Sequence, residues 1–139
     1  MQVTFTINTN PIAKGRPRLT TRGGFARAYT PRKTADYELA IRAACAKAMC
    51  DTPPLDGPVA VVLDFYIQLP KSWSKRKKAA PQMHTSRPDL DNLTKSVLDA
   101  MNGVAWLDDG QVVIIRASKQ YGDTPCIKVN VTELHGATP

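Results

Sequence analysis

The side chains with the clearest chemical potential are four carboxylates, Asp89 and Asp91 one residue apart and the adjacent pair Asp108 and Asp109. Pro88 biases the residue before it to extended backbone and Asp is favoured at helix N-caps, so the first pair falls where an extended segment enters a helix. Taken alone, that pair fits capping and complementing the helix macrodipole, an effect of about 0.3–1 kcal/mol per exposed carboxylate. The second acidic turn, Trp106-Leu107-Asp108-Asp109-Gly110-Gln111-Val112, alters the balance because it precedes a strand that a sheet would carry beside the helix. Two acidic corners are then expected to converge. Three carboxylates about 4 Å apart repel by about 4 kcal/mol per pair at an effective dielectric of about 20, so such clustering implies a bound cation. Oxygen ligands without His or Cys point to Mg²⁺ or Mn²⁺ rather than zinc. Lys95 lies four residues after Asp91 and four before Asp99, which puts the three on one helical stripe. An intrahelical salt bridge and an ammonium that holds a phosphate, or stabilises charge on a departing oxygen, fit that spacing equally well.

Around these carboxylates the chain is basic. Nineteen Lys and Arg against twelve Asp and Glu give a net charge of +7, which favours a polyanionic partner. The charge is uneven: residues 1–35 carry Lys14, Arg16, Arg18, Arg22, Arg27, Arg32 and Lys33 and no acidic residue. Lys75, Arg76, Lys77 and Lys78 form a second cluster, and Arg87 opens the acidic motif. Such runs serve as phosphate contacts or as solvated surface. Phe25, Tyr29 and Trp73 lie among them, placed to stack on exposed bases or to anchor a loop. No apolar run approaches the roughly 18 residues of a membrane span, and Met1 leads into Gln2 to Ile7 without a leader pattern. A cytoplasmic protein without membrane association is expected, and no protein partner is identifiable. Cys45, Cys50 and Cys126 are odd in number and lack zinc-clamp spacing, so they are read as buried reduced thiols. His84 and His135 are read as surface residues.

The elements that must position these groups follow from periodicity. Gln2 to Asn8 alternates as a strand, and Asn10 to Tyr29, rich in Gly, Pro and Arg, reads as a mobile basic loop or ribbon. Thr30-Pro31 marks the start of a helix near 31–50. Val59 to Leu69 is a well-buried strand, and Pro70 to Arg87 a basic connector with a helical turn after Ser74. Leu90, Leu93, Val97, Ala100 and Met101 define a second helix that Asn102-Gly103 ends. Val112 to Ser118 and Cys126 to Thr132 flank Gly122-Asp123 and are expected to pair as an antiparallel hairpin. The fold class is α+β, a mixed four-stranded sheet with two main helices in the order β-α-β-α-β-β, and residues 1–139 form a single domain.

With these residues placed, the string Arg87-Pro88-Asp89-Leu90-Asp91-Asn92-Leu93-Thr94-Lys95, followed by Asp99 and by Leu107-Asp108-Asp109-Gly110-Gln111-Val112, resembles the RusA family of Holliday junction resolvases. The likeness extends to the basic segment Pro11 to Arg18 and to the element order of nearly the whole chain, while the signature proper covers about Arg87 to Val112. It implies a homodimeric, Mg²⁺-dependent endonuclease that nicks four-way DNA junctions symmetrically, with metal ligands at Asp89, Asp91 and Asp109 and the motif lysine at Lys95. Members of that family are often encoded by phages and prophages, which leaves the host open. The connector Ser72 to Ser86 is longer and more basic than the pattern, and Asp108 competes with Asp109, which alignment of the motif favours. Two other readings stand beside it: a non-catalytic binder of branched or single-stranded DNA, whose acidic residues are caps and salt-bridge partners, and a nuclease for flaps or forks.

Overall fold

The computed structural model describes residues 1–13, 18–21, 23–24, 27–29, 32–79 and 83–135, with 18–20 and 27–29 as backbone. Strand β1 (Gln2–Ile7) buries Val3 and Ile7 on one face, the alternation seen in its sequence. The basic segment that follows contains a small antiparallel ribbon, β2 (Arg18–Thr20) paired with β3 (Arg27–Tyr29). Helix α1 (Arg32–Met49) comes next; the expected cap at Thr30 and Pro31 lies outside the described residues. Strand β4 (Val59–Gln68) buries Val59, Val61, Leu63 and Phe65 completely.

After β4 the chain forms a short helix α2 (Lys75–Ala79) and then α3 (Leu90–Met101), which Asp89 precedes as N-cap. Gly103, at φ 82, supplies the left-handed residue just beyond α3 that side-chain-bearing residues adopt only at a cost. A single 3₁₀ turn (Asp109–Gln111) leads into β5 (Val112–Gly122), and β6 (Cys126–Glu133) follows. The buried stripe of α3, Leu93, Val97, Ala100 and Met101, joins Tyr37, Ile41, Cys45 and Met49 of α1 in one apolar core over the sheet. Trp106 completes it, fully buried and held by Gly103 N–H donating to its carbonyl at 2.8 Å. No helix among the described residues is long and apolar enough to cross a membrane.

The α+β class and the mixed four-stranded sheet are as the sequence implies, but the pairing of the last two strands is not. Sheet order is β1-β6-β4-β5, so β5 and β6 are not neighbours and form no hairpin. Helix α3 serves instead as the crossover between β4 and β5, a connection that makes those strands parallel. β6 then inserts between β1 and β4, antiparallel to both. Gly122 is therefore not a hairpin-turn glycine. A Cβ there would lie 3.1 Å from Tyr66, where the chain steps across the end of β4.

Two expectations for single residues also change. Cys45 is buried, but Cys126 is half-buried and Cys50, at φ 56 just past α1, is exposed. His135 is exposed, whereas His84 is buried. The reason is local: the connector is stitched along β5, with an isolated bridge from Met83 to Gln120, and its aromatics pack on the strand. The rings of Trp73 and His84 each lie 4.8 Å from that of Tyr121.

Burial, and then the Lys119 ammonium, lower the pKa of the His84 imidazole from its ordinary 6.5. The unfolded chain therefore takes up this proton first as the pH falls, so stability contributed by neutral His84 is present above about pH 6.5 and lost below it. Denaturation midpoints measured from about pH 7 to about pH 5 should fall less steeply for His84→Gln than for the parent chain. Identical slopes would show that another group titrates.

Candidate active site

One open cavity of about 750 Å³ gathers most of the chemistry read from the sequence. Its walls include Asp91, Lys95 and Asp99 from a single stripe of α3, Asp109 from the turn before β5, and the apolar side chains Leu90, Leu98, Val112, Ile115 and Ala117. The i, i+4 spacing along the helix is what aligns the first three. Thr94 also lines this cavity; its hydroxyl oxygen is buried and has no hydrogen-bond partner among the described residues. A buried polar atom without a partner is uncommon and marks a place for water, ion or ligand.

The Asp109 corner is built more firmly than an exposed loop. The Trp106 indole Nε1 donates to Asp109 Oδ1 at 2.9 Å, so the fully buried ring fixes the carboxylate. Asp108 and Gln111 form a reciprocal capping box around the 3₁₀ turn. The Gln111 amide also donates to the carbonyls of Leu55 at 2.8 Å and Gly57 at 2.9 Å, tying the turn to the segment that leads into β4. Asp108 is thus occupied as a cap while Asp109 faces the cavity.

Asp89 is placed differently. It lines a separate hollow with Ala13, Arg87, Pro88 and Asn92, and its side chain makes no capping hydrogen bond. Asp89 keeps extended backbone at the N-cap (φ −73, ψ 142) while Asp91 lies in the first helical turn, so the two side chains leave the chain from different backbone geometries. The convergence expected of three carboxylates is accordingly partial: Asp91 and Asp109 share a cavity and Asp89 flanks it. Among the described residues, no three His, Cys, Asp or Glu side chains stand close enough to enclose a metal. The donor set nevertheless fits Mg²⁺, which characteristically takes one or two carboxylates and completes its shell with water and substrate phosphate. The orphaned Thr94 hydroxyl fits a hydrated ion as well.

Of the basic residues, Lys14, Arg16 and Arg22 lie outside the described residues, and Arg18 and Arg27 sit at opposite ends of the β2–β3 ribbon, described as backbone. Lys75, Arg76 and Lys77 are exposed on α2, and Lys78 is half-buried. The Lys77 ammonium stands 4.3 Å above the Trp73 ring, so Trp73 anchors this helix to β5. Arg87 is exposed beside Asp89. Sequence reading assigned no role to Trp106, Gln111, Thr94 or Lys119. The capping pattern of Asp108 and Gln111 was readable, and a lysine that continues the alternation of Ile115 and Ala117 on a strand's inner face is a signal in itself.

Truncating Asp109 should reveal the indole bond. Asp109→Ala leaves a buried N–H unpaired at a cost of about 1–3 kcal/mol, whereas Asp109→Asn keeps an acceptor and should cost less. Urea denaturation measures both, and equal stabilities would show that Trp106 does not depend on this acceptor.

Comparison with known proteins agrees with the motif. The sequence matches the family described as endodeoxyribonuclease RusA over residues 8–132. It is 32% identical over 138 residues to the uncharacterized protein YqaN of Bacillus subtilis (strain 168), covering 95% of this chain and 96% of that one. It is also 41% identical over 61 residues to the crossover junction endodeoxyribonuclease rusA of Lactococcus phage r1t, covering 43% of this chain and 47% of that one. A match spanning nearly every element of the fold, the cavity walls included, makes this chain a member of the RusA endodeoxyribonuclease family.

Proposed function

We propose that the protein is a Mg²⁺-dependent endonuclease that resolves four-way DNA junctions by paired symmetric nicks in recombination and repair. The observation that carries this reading is the single cavity that sets Asp91 and Asp109, from separate elements, beside Lys95. The name of the phage relative, a crossover junction endodeoxyribonuclease, supports the substrate, and a phage or prophage setting within the bacterial cytoplasm accords with it.

Asp91 and Asp109 would hold Mg²⁺, or Mn²⁺, with Asp89 completing the set from the flanking hollow. When bound, the ion supplies Lewis-acid polarisation of the phosphodiester and a water of lowered pKa. The Lys95 ammonium stabilises the charge that grows on the phosphate as water attacks in line and the 3′ oxygen leaves. The products are a 5′ phosphate and a 3′ hydroxyl, ends that a ligase can rejoin. Lys14, Arg16, Arg18, Arg22, Arg27, Arg87 and the α2 cluster contact the DNA backbone in this reading. Two equivalent nicks call for two equivalent sites, which a two-fold homodimer provides. Among the described residues nothing pairs with the first half of the outer β5 edge, where Val113 and Ile114 are about half exposed, which is consistent with a second copy.

A non-catalytic DNA binder would use the acidic residues as caps and salt-bridge partners. Among the described residues Asp108 caps the 3₁₀ turn and Asp91 accepts the first-turn N–H of Asn92 at 2.9 Å, whereas the Asp89 side chain makes no cap bond and Asp109 lines the cavity. Incubating a synthetic four-way junction with protein and Mg²⁺, in competition with flap and fork substrates, should give paired nicks in the junction. No cleavage under any divalent ion would count against the proposal.

Asp91→Asn removes one ligand charge and leaves the basic segments untouched, so cleavage should vanish while junction binding persists. Joint loss of both in a folded variant would remove Asp91 from the proposed role. Junction affinity should also fall steeply with salt, log K dropping by about 0.9 for each phosphate contacted per tenfold rise in concentration. A flat titration would detach the basic clusters from DNA.

A further inference from the structure

The acidic motif begins at a turn that the described hydrogen bonds tie to another strand. Lys119 sits on the face of β5 that carries Ile115 and Ala117, two walls of the cavity. Its ammonium donates to the carbonyl of Ser86 at 2.6 Å and to that of Pro88 at 2.7 Å. These carbonyls bracket Arg87, and the second belongs to the peptide that enters Asp89. The neighbouring connector reinforces the grip: His84 N–H reaches the Lys119 carbonyl at 3.5 Å, and the Ser86 hydroxyl lies 3.3 Å from His84 Nε2.

We propose that Lys119 is a positioning residue, whose two charge-assisted hydrogen bonds lock the Ser86 to Pro88 turn and thereby set the start of α3 and the carboxylates of Asp89 and Asp91. A charged donor on two neutral carbonyls makes stronger bonds than a neutral one would. Both acceptors are main-chain atoms, so the clamp acts on the path of the backbone rather than on one side chain. The catalytic consequence rests on the metal-nuclease reading; the structural one does not. Misplacement of a reacting group by about 1 Å costs on the order of a hundredfold in rate, so a loosened turn is felt in the chemical step.

The test compares Lys119→Met and Lys119→Arg with the parent chain by amide hydrogen exchange, single-turnover junction cleavage in Mg²⁺ and junction binding without metal. For Lys119→Met, exchange at the bonded amides that open α3, residues 92–95, should accelerate on the order of tenfold or more while α1 and β4 stay protected. Cleavage should fall on the order of tenfold to a hundredfold, with binding changed less than about threefold. Lys119→Arg, which keeps a charged donor, should recover both properties in large part, and it remains informative should the Met variant fail to fold. Unchanged exchange at 92–95 would overturn the clamp. Exchange rising uniformly throughout the chain would assign Lys119 to general stability, and binding lost in step with cleavage would make it a direct phosphate contact; either overturns the proposal. Local loosening with no cleavage by the parent chain would uphold the clamp and discard the nuclease reading instead.

Discussion

Carboxylates brought to one cavity repel each other, and a fold that gathers them must hold each by contacts that do not depend on the neighbouring charge. Here Asp91 and Asp109 arrive from different elements and are held by different means. Asp91 is fixed by its position on α3, whose opposite stripe is sunk in the core. Asp109 is held by the indole of a fully buried tryptophan, on a turn that Asp108 and Gln111 close from both sides. Lys95, between the acidic positions on the same helix, supplies the one opposite charge that lines the cavity among the described residues. The rest of the architecture keeps α3 and β5 side by side, and the crossover that makes β4 and β5 parallel accomplishes this.

Much of this was readable in the sequence because the signals were local and periodic. The spacing of Asp91, Lys95 and Asp99 places them on one stripe, as the cavity wall shows, and the alternation of Val59 to Phe65 marks a buried strand. Strand pairing was not readable in the same way. Gly122-Asp123 carries the composition of a hairpin turn, yet pairing depends on which strand already occupies the neighbouring edge, and β4 takes that place through its helical crossover. The separation of Asp89 from Asp91 escaped for a geometric reason: the backbone changes from extended at Asp89 to helical at Leu90, so neither the strand period nor the helical period fixes how the two side chains diverge.

The connector between β4 and α3 shows how a basic, proline-bearing segment can still be built into a site. Composition describes it as solvated linker, while the structure pins it through Trp73, His84 and Tyr121 to the outer part of β5. His84 looked like a surface histidine because nothing in its neighbours predicts an edge-on contact with the Tyr121 ring, 37 residues away on β5. The same strand therefore presents a wall of the cavity, the lysine that grips the entry to α3 and the ring that anchors the basic helix.

The proposed nuclease chemistry requires Asp91 and Asp109 to act together on one divalent ion. Soaking crystals in Mn²⁺ and recording anomalous diffraction addresses this most directly. A peak in the cavity within coordination distance of both carboxylates, and lost in Asp91→Asn crystals, is the predicted result. A peak elsewhere, or none at saturating Mn²⁺ with the two carboxylates turned apart, would contradict it.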